Sequence, residues 1–173
     1  MSDCALTLHI EKDCTGGEDP SLMDVIYLTD FNDFKSKEKG SLSTVLTNFE
    51  LKDGAVVVRY ELPPSQIKAY ATVKTGANGV NGFTHKLEFT LANKSDEVRH
   101  EKGLLINKRL VAFVINGEGK VFTYGLGMGL SVPEGDNQRN TESGAVSTLV
   151  LATKDPLDER TEEVRFLKNT DLE

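Results

Sequence analysis

The sequence predicts a mainly β protein, an antiparallel β-barrel or sandwich with one flanking α-helix. Three observations lead there. Stretches that alternate apolar and polar residues recur between strong turn signals, which is the period of half-buried strands. One stretch only, Ser95 to Arg109, departs from that period and carries helix-end signals. Between Leu110 and Val132 lies an apolar hairpin, LVAFVINGEGKVFTYGLGMGLSV, with no reactive group in it. Its first strand, Leu110 to Ile115, is apolar on both faces and predicts a strand buried on both sides.

Around that hairpin the elements follow in order. The N-terminal arm, about residues 1–22, ends in the loop Asp13 to Ser21, with its glycine pair and Asp-Pro step. Met23 to Thr29 reads as a strand. Asp30 to Ser43 is polar and reads as a long solvated loop of the kind that contacts a neighbour. Thr44 to Leu51 and Ala55 to Leu62 flank Lys52-Asp53-Gly54, a hairpin signal, and Pro63-Pro64 ends the second strand. Ile67 to Thr75 alternates cleanly, and the glycine-rich turn Gly76 to Gly82 returns the chain into Phe83 to Leu91. There Phe83, His85, Leu87, Phe89 and Leu91 point inward.

Within Ser95 to Arg109, Ser95 is a cap, Asp96 and Glu97 occupy the first turn, and Lys108 and Arg109 the last, matching the helix dipole. Val98, Leu105 and Ile106 form a thin apolar stripe. After the central hairpin, Asn116-Gly117 supplies its turn. Gly125, Gly127 and Gly129 then invite a sharp bend or a close backbone approach. Pro133 to Gly144 has no large apolar residue and reads as a mobile loop. Val146 to Ala152 is a last strong strand. The charged tail from Asp155 to Glu173 has Val164, Phe166 and Leu167 available to dock. Phe83, Leu87, Phe89, Val111, Phe113 and Ile115 are expected in one core, and the 173 residues in a single domain.

Composition narrows the function. There are 27 acidic and 20 basic residues, for a formal charge of −7, so the chain is poorly suited to gripping nucleic acid by phosphate neutralisation. That balance does not argue against a wall that DNA slides past without sticking. No run approaches the ~20 apolar residues of a membrane span. The N-terminus lacks signal-peptide features, which predicts synthesis in the cytoplasm. Cys4 and Cys14 read as reduced thiols. His9, His85 and His100 sit in different elements, and His85 reads as a hydrogen-bonded structural histidine. No Cys or His pair has zinc spacing, the glycine run opens no helix, and no nucleophile motif is present. The expectation is a non-enzymatic protein with no catalytic, cofactor-binding or metal-binding residues and no cofactor.

The order of short motifs is also informative. A DCTGG loop opens onto MDVIYL, and a strand ends in VRYELPP. Then come IKAYATVKTGANGVNGFTHKLEFTL, one helix, the central hairpin and a closing VSTLVLATKDPLDE. From about Asp13 to Glu159 this layout resembles the tail-tube and tail-ring proteins of tailed bacteriophages, notably of phages infecting gut anaerobes, including crAss-like phages. The resemblance implies a tail-tube-like fold and a virion structural protein assembled in the host bacterial cytoplasm. It implies homo-oligomeric rings around a DNA ejection channel, neighbouring phage tail or portal proteins as partners, DNA only as passing cargo, and no membrane. On this reading the two polar loops supply the assembly contacts: Lys35, Lys37, Glu38 and Lys39 in one, Glu134, Asp136, Arg139 and Glu142 in the other. The alternatives are a monomeric ligand- or carbohydrate-binding β-barrel and the inner-tube subunit of a contractile secretion apparatus.

Overall fold

β7, Leu110–Ile115, sits near the middle of the larger of two sheets and is covered on both faces, as its unbroken apolar sequence requires. The computed structural model describes residues 24–39, 45–63, 66–75, 79, 81–92, 95–115, 121–133, 142–143, 146–154 and 162–164. The readings of the N-terminal arm, Cys4, Cys14, His9, the Asn116-Gly117 turn and most of the Pro133 to Gly144 loop lie outside the described residues, as do those of most of the C-terminal tail.

The other strands are β1 Asp24–Asp30, β2 Phe34–Lys39, β3 Val45–Leu51, β4 Val57–Leu62, β5 Ile67–Thr75, β6 Asn81–Ala92, β8 Val121–Tyr124, β9 Glu142–Ser143, β10 Val146–Ala152 and β11 Glu162–Val164. The larger sheet has seven strands in the order β2-β3-β11-β8-β7-β1-β4, and the smaller has four in the order β5-β6-β10-β9. Pairing is antiparallel except between β11 and β3. The fold is thus mainly β with one helix, α1 Asp96–Ile106. Among the described residues the hydrogen-bonded ladder of the larger sheet does not close into a barrel.

Residues 24–62 correct two sequence readings. The polar Asp30 to Ser43 stretch is not a loop throughout: a 3-10 turn, Phe31–Asp33, leads straight into β2. Nor do β3 and β4 pair as a hairpin across Lys52-Asp53-Gly54. Instead β1 pairs with β4 and β2 with β3, with Asp24 opposite Leu62, Thr29 opposite Val57, Phe34 opposite Leu51 and Lys39 opposite Leu46, and with register shifts between Phe34 and Ser36 and between Glu38 and Lys39. The segment is one long hairpin bent at a corner. Gly54, at φ +80°, supplies the turn on one side of that corner, and Phe31–Asp33 forms the other.

The bend forces the sheet to curl. Four strands separate β1 from β2 in the sheet order, so in a flat sheet they would lie roughly 24 Å apart. A three-residue connection reaches only about 14 Å. The arm β2–β3 is therefore folded back over the sheet, and side chains confirm it. Phe49 of β3 stacks on Phe113 of β7 at 5.2 Å between ring centres, and Phe34 lies 6.3 Å from the same ring.

Two cores result, where the sequence reading expected one. Leu110, Ala112 and Val114 join Ile26, Leu28, Val58 and Tyr60 against Leu87, Phe89, Leu91, Leu149 and Leu151 of the smaller sheet, with Leu105 of α1. Val111 and Phe113 face the inside of the curl with Tyr27, Val121 and Leu126, and Ile115, Phe34 and Phe49 pack at its margin. The expected group therefore splits, Leu87 and Phe89 to one core, Val111, Phe113 and Ile115 to the other. Phe83, expected inside, is half-buried. The reason is the two-residue period of a strand: neighbours on β7 must face opposite ways.

α1 is capped by Ser95, whose hydroxyl accepts from the Val98 amide at 3.4 Å, with Asp96 and Glu97 in the first turn as read. It ends at Ile106, so Lys108 and Arg109 fall beyond its last turn, and Ile106 is exposed rather than part of the apolar stripe. Both basic residues instead hold the corner of the bent hairpin. Lys108 pairs with Asp30 at 3.3 Å, Arg109 lies over the Phe31 ring at 4.5 Å, and the Arg109 carbonyl accepts from the Phe31 amide.

The glycine run makes the sharp bend foreseen for it. Gly125 and Gly129 both have φ +80°, and a Cβ on Gly125 would lie 2.7 Å from Leu130 Cγ. Leu130 then pairs with Leu110 of the larger sheet and Ser131 with Ala152 of the smaller. Two consecutive residues thereby stitch the sheets together. β9 also shows that the Pro133 to Gly144 reading misses a short strand at its end.

Candidate assembly interface

Among the sequence-predicted contact residues that are described, Lys35, Lys37, Glu38 and Lys39 lie on β2 and Glu142 on β9, strands that border different sheets. β2 is the outermost strand of the seven-stranded sheet. Lys35 extends from it to Glu50 of β3 at 2.7 Å, with both side chains more than half exposed. The Lys35 ammonium, by hydrogen bond and then by charge, holds the Glu50 carboxyl below its usual range. Lys37 lies opposite Phe49, Glu38 opposite Asn48 and Lys39 opposite Leu46, with an irregularity between the last two. Glu142 is on β9, outermost in the smaller sheet, opposite Ser147. Glu134, Asp136 and Arg139 lie outside the described residues. An edge strand written FKSKEK is charged in the way that limits uncontrolled strand addition.

Sequence reasoning missed a second surface. β5 is the other outermost strand of the smaller sheet, and its far half runs past the core. Ile67 is buried, Ala69 and Ala71 are half-buried, and Val73, on the same face, is 64% exposed. Between β5 and the larger sheet lies an open groove of about 510 Å³ lined by Ile67, Lys68, Ala69, Tyr70, Val114, Phe122 and Tyr124. The Tyr124 hydroxyl donates to the Ala69 carbonyl at 3.4 Å, and burial pushes its pKa up. The alternation of β5 marked the inner face correctly. How far the strand outruns its cover depends on the facing sheet, which no local pattern encodes.

Two buried polar groups serve packing. His85 accepts the Gly125 amide on Nδ1 at 3.0 Å and meets the Tyr124 ring edge-on, so it fixes the glycine bend. This is the structural histidine the sequence predicts. Tyr60 donates to Glu101 of α1 at 3.2 Å, both nearly inaccessible. Burial first, and the Glu101 charge second, raise the Tyr60 hydroxyl far above its usual range. Among the described residues no three His, Cys, Asp or Glu side chains lie together as a metal site. Nor is any described helix long and apolar enough to cross a membrane.

No protein-family model, curated protein or solved structure matches the chain.

Proposed function

We propose that the chain is a non-enzymatic structural subunit that self-assembles, and that it builds a tail tube or tail ring around the DNA channel of a phage virion. The observation that carries the assembly reading is the bent arm β2–β3. It places a charged strand at an open sheet border, anchored from behind by Phe49 on Phe113 and at its base by Lys108 and Arg109. A strand held in that way is a rigid, polar docking element, and rim charges repeated around a ring add up although each pair is weak. The phage setting rests on the resemblance in motif order. The acidic balance of the chain agrees with it, since a negative wall discourages DNA from adhering.

Sizing with light scattering on the full chain tests assembly. The expected result is a defined multiple of 19.0 kDa that dissociates as salt is raised. A 19.0 kDa monomer at every concentration and ionic strength favours the second reading, a monomeric ligand-binding β-sandwich. The groove between β5 and β8, with Tyr70, Phe122 and Tyr124 in its walls, speaks for that reading.

A further inference from the structure

β5 ends in the open. Thr72 to Thr75 are exposed, and Val73 stands 64% exposed on the face that nearer the core carries Ile67, Ala69 and Ala71. The direction of its main chain follows from the neighbouring ladder. Thr153, next after β10, donates its amide to the His85 carbonyl at 3.0 Å, on the β10 side of β6. Backbone direction alternates along an antiparallel strand, so Thr84 and Lys86 turn to β5 and bond there with their opposites, Thr72 and Tyr70. Ala69, Ala71 and Val73 therefore present N–H and C=O to the open side. The Ala69 carbonyl agrees, since it accepts the Tyr124 hydroxyl. That contact seals the edge at Ala69, and beyond it, among the described residues, no strand is added to β5.

The sheet borders differ in their protection. β2 carries Lys35, Lys37, Glu38 and Lys39 and two register shifts. β5 has no proline and pairs with β6 in unbroken register from Ile67 to Thr75. A straight, half-apolar edge of that kind takes another strand. The pattern of β5 is complementary to itself. Counted outward from Thr72, small Ala71 is matched by larger Val73, and aromatic Tyr70 by cationic Lys74.

We infer that the outer half of β5 is a two-fold interface, pairing antiparallel with β5 of a second copy about Thr72. The symmetry fixes the direction, because identical edges related by a two-fold axis through the sheet run antiparallel. Ala71 of each copy then lies opposite Val73 of the other, exchanging main-chain bonds and setting small against large. Tyr70 of each lies opposite Lys74 of the other, a cation beside a ring, and the two Thr72 side chains meet on the axis. Sliding one strand by two residues one way opposes Lys68 to Lys74, and sliding it the other way loses both Tyr70–Lys74 pairs. A slip of one residue would put apolar and polar faces together. The contact closes after two copies. In a ring-forming chain it joins subunits of two rings face to face, not neighbours within one ring. It needs a second copy but not the β2–β3 arm.

Cross-linking in the full chain tests it. With Cys4 and Cys14 replaced by serine, Thr72→Cys places two thiols on the axis, at an opposed pair whose backbone does not bond across. That is the closer kind, within disulfide reach. Lys68→Cys is the control, exposed on the same face but with its two copies roughly 27 Å apart along the paired strands. Under mild oxidation the expected product of Thr72→Cys is a covalent dimer, formed at least about tenfold faster than from Lys68→Cys, because paired thiols react at the effective concentration of one complex. Equal rates, or no dimer, overturn the proposal. Val73→Pro, added to Thr72→Cys, removes a donor from the open edge and none from the β6 ladder. It is expected to slow the cross-link about tenfold; an unchanged rate overturns the proposal. Salt separates this contact from the arm, since main-chain bonds and apolar contact persist where rim charges are screened. Salt-sensitive multiples without the cross-link overturn the β5 contact alone. The cross-link without such multiples supports it and counts against the arm.

Discussion

The two faces of β7 carry different kinds of core. On one side Leu110, Ala112 and Val114 meet a second sheet, and the contact combines many aliphatic side chains with the stacked rings of Tyr60 and Phe89, on strands whose own alternation points them inward. On the other, Val111 and Phe113 meet the same sheet folded back on itself, and the cover is two phenylalanines, Phe34 and Phe49, on the bent arm. The first core follows from local pattern and the second from a corner. A sandwich core survives small changes of path, because many strands contribute to it. The curl depends on one bend, so its few aromatic contacts carry the position of the whole arm.

The comparison is sharpened first by truncating each core. Phe113→Ala and Phe89→Ala both remove a fully buried ring and are each expected to cost about 3–5 kcal/mol in denaturant unfolding. A Phe113→Ala protein as stable as the parent would mean that the arm does not cover β7.

Next in size is the polar lock beneath α1. Tyr60→Phe strands the buried Glu101 carboxylate without its donor and is expected to cost about 1–3 kcal/mol. The tyrosine also sets an alkaline limit. Its folded pKa is raised, so its contribution is complete below the unfolded value near 10 and is lost as pH rises beyond it. Unfolding followed from pH 8 to 11 is expected to show a steeper loss for the parent than for Tyr60→Phe.

The border segments come after the cores. Replacing Gly135 to Thr141, and so sparing β9, by a short Gly-Ser linker is expected to leave unfolding within about 0.5 kcal/mol of the parent while impairing assembly in the virion. Normal particles from that variant would remove the loop from the assembly account. The smallest expected effect is at Lys35. Because Glu50 is lowered by Lys35, the pair contributes only above the unfolded carboxylate value, and the contribution fades as pH falls through the folded one. Lys35→Ala is expected to return the Glu50 titration, read by NMR, toward 4.5 with no measurable change in Tm.

What the sequence revealed follows the same division. β1, β4 to β8 and β10 were legible because each has an apolar run or alternation, and Ser95-Asp96-Glu97 marked the helix start. β2 was not, since FKSKEK has a single large apolar residue and is a strand only through its backbone pairing with β3. Asp53-Gly54 signalled a turn correctly but could not say whether it was a hairpin tip or a corner, which is decided by the distant pairing of β1 with β4. Of the candidate contact residues, Lys35 to Lys39 were found as charged and peripheral for the wrong local reason, as a loop rather than an edge strand. Lys108 and Arg109 looked like helix-dipole charges and instead hold the corner, because α1 stops two residues before them.

The bent hairpin is the central claim, and ring-to-ring contacts test it most directly. In a NOESY spectrum of the protein with selectively labelled phenylalanine, the account predicts strong cross-peaks between the rings of Phe49 and Phe113, 5.2 Å apart, and weaker ones from Phe34 to Phe113. Cross-peaks from Phe49 to Phe34 alone, with none to Phe113, would mean a hairpin that extends straight from the sheet, and would contradict it.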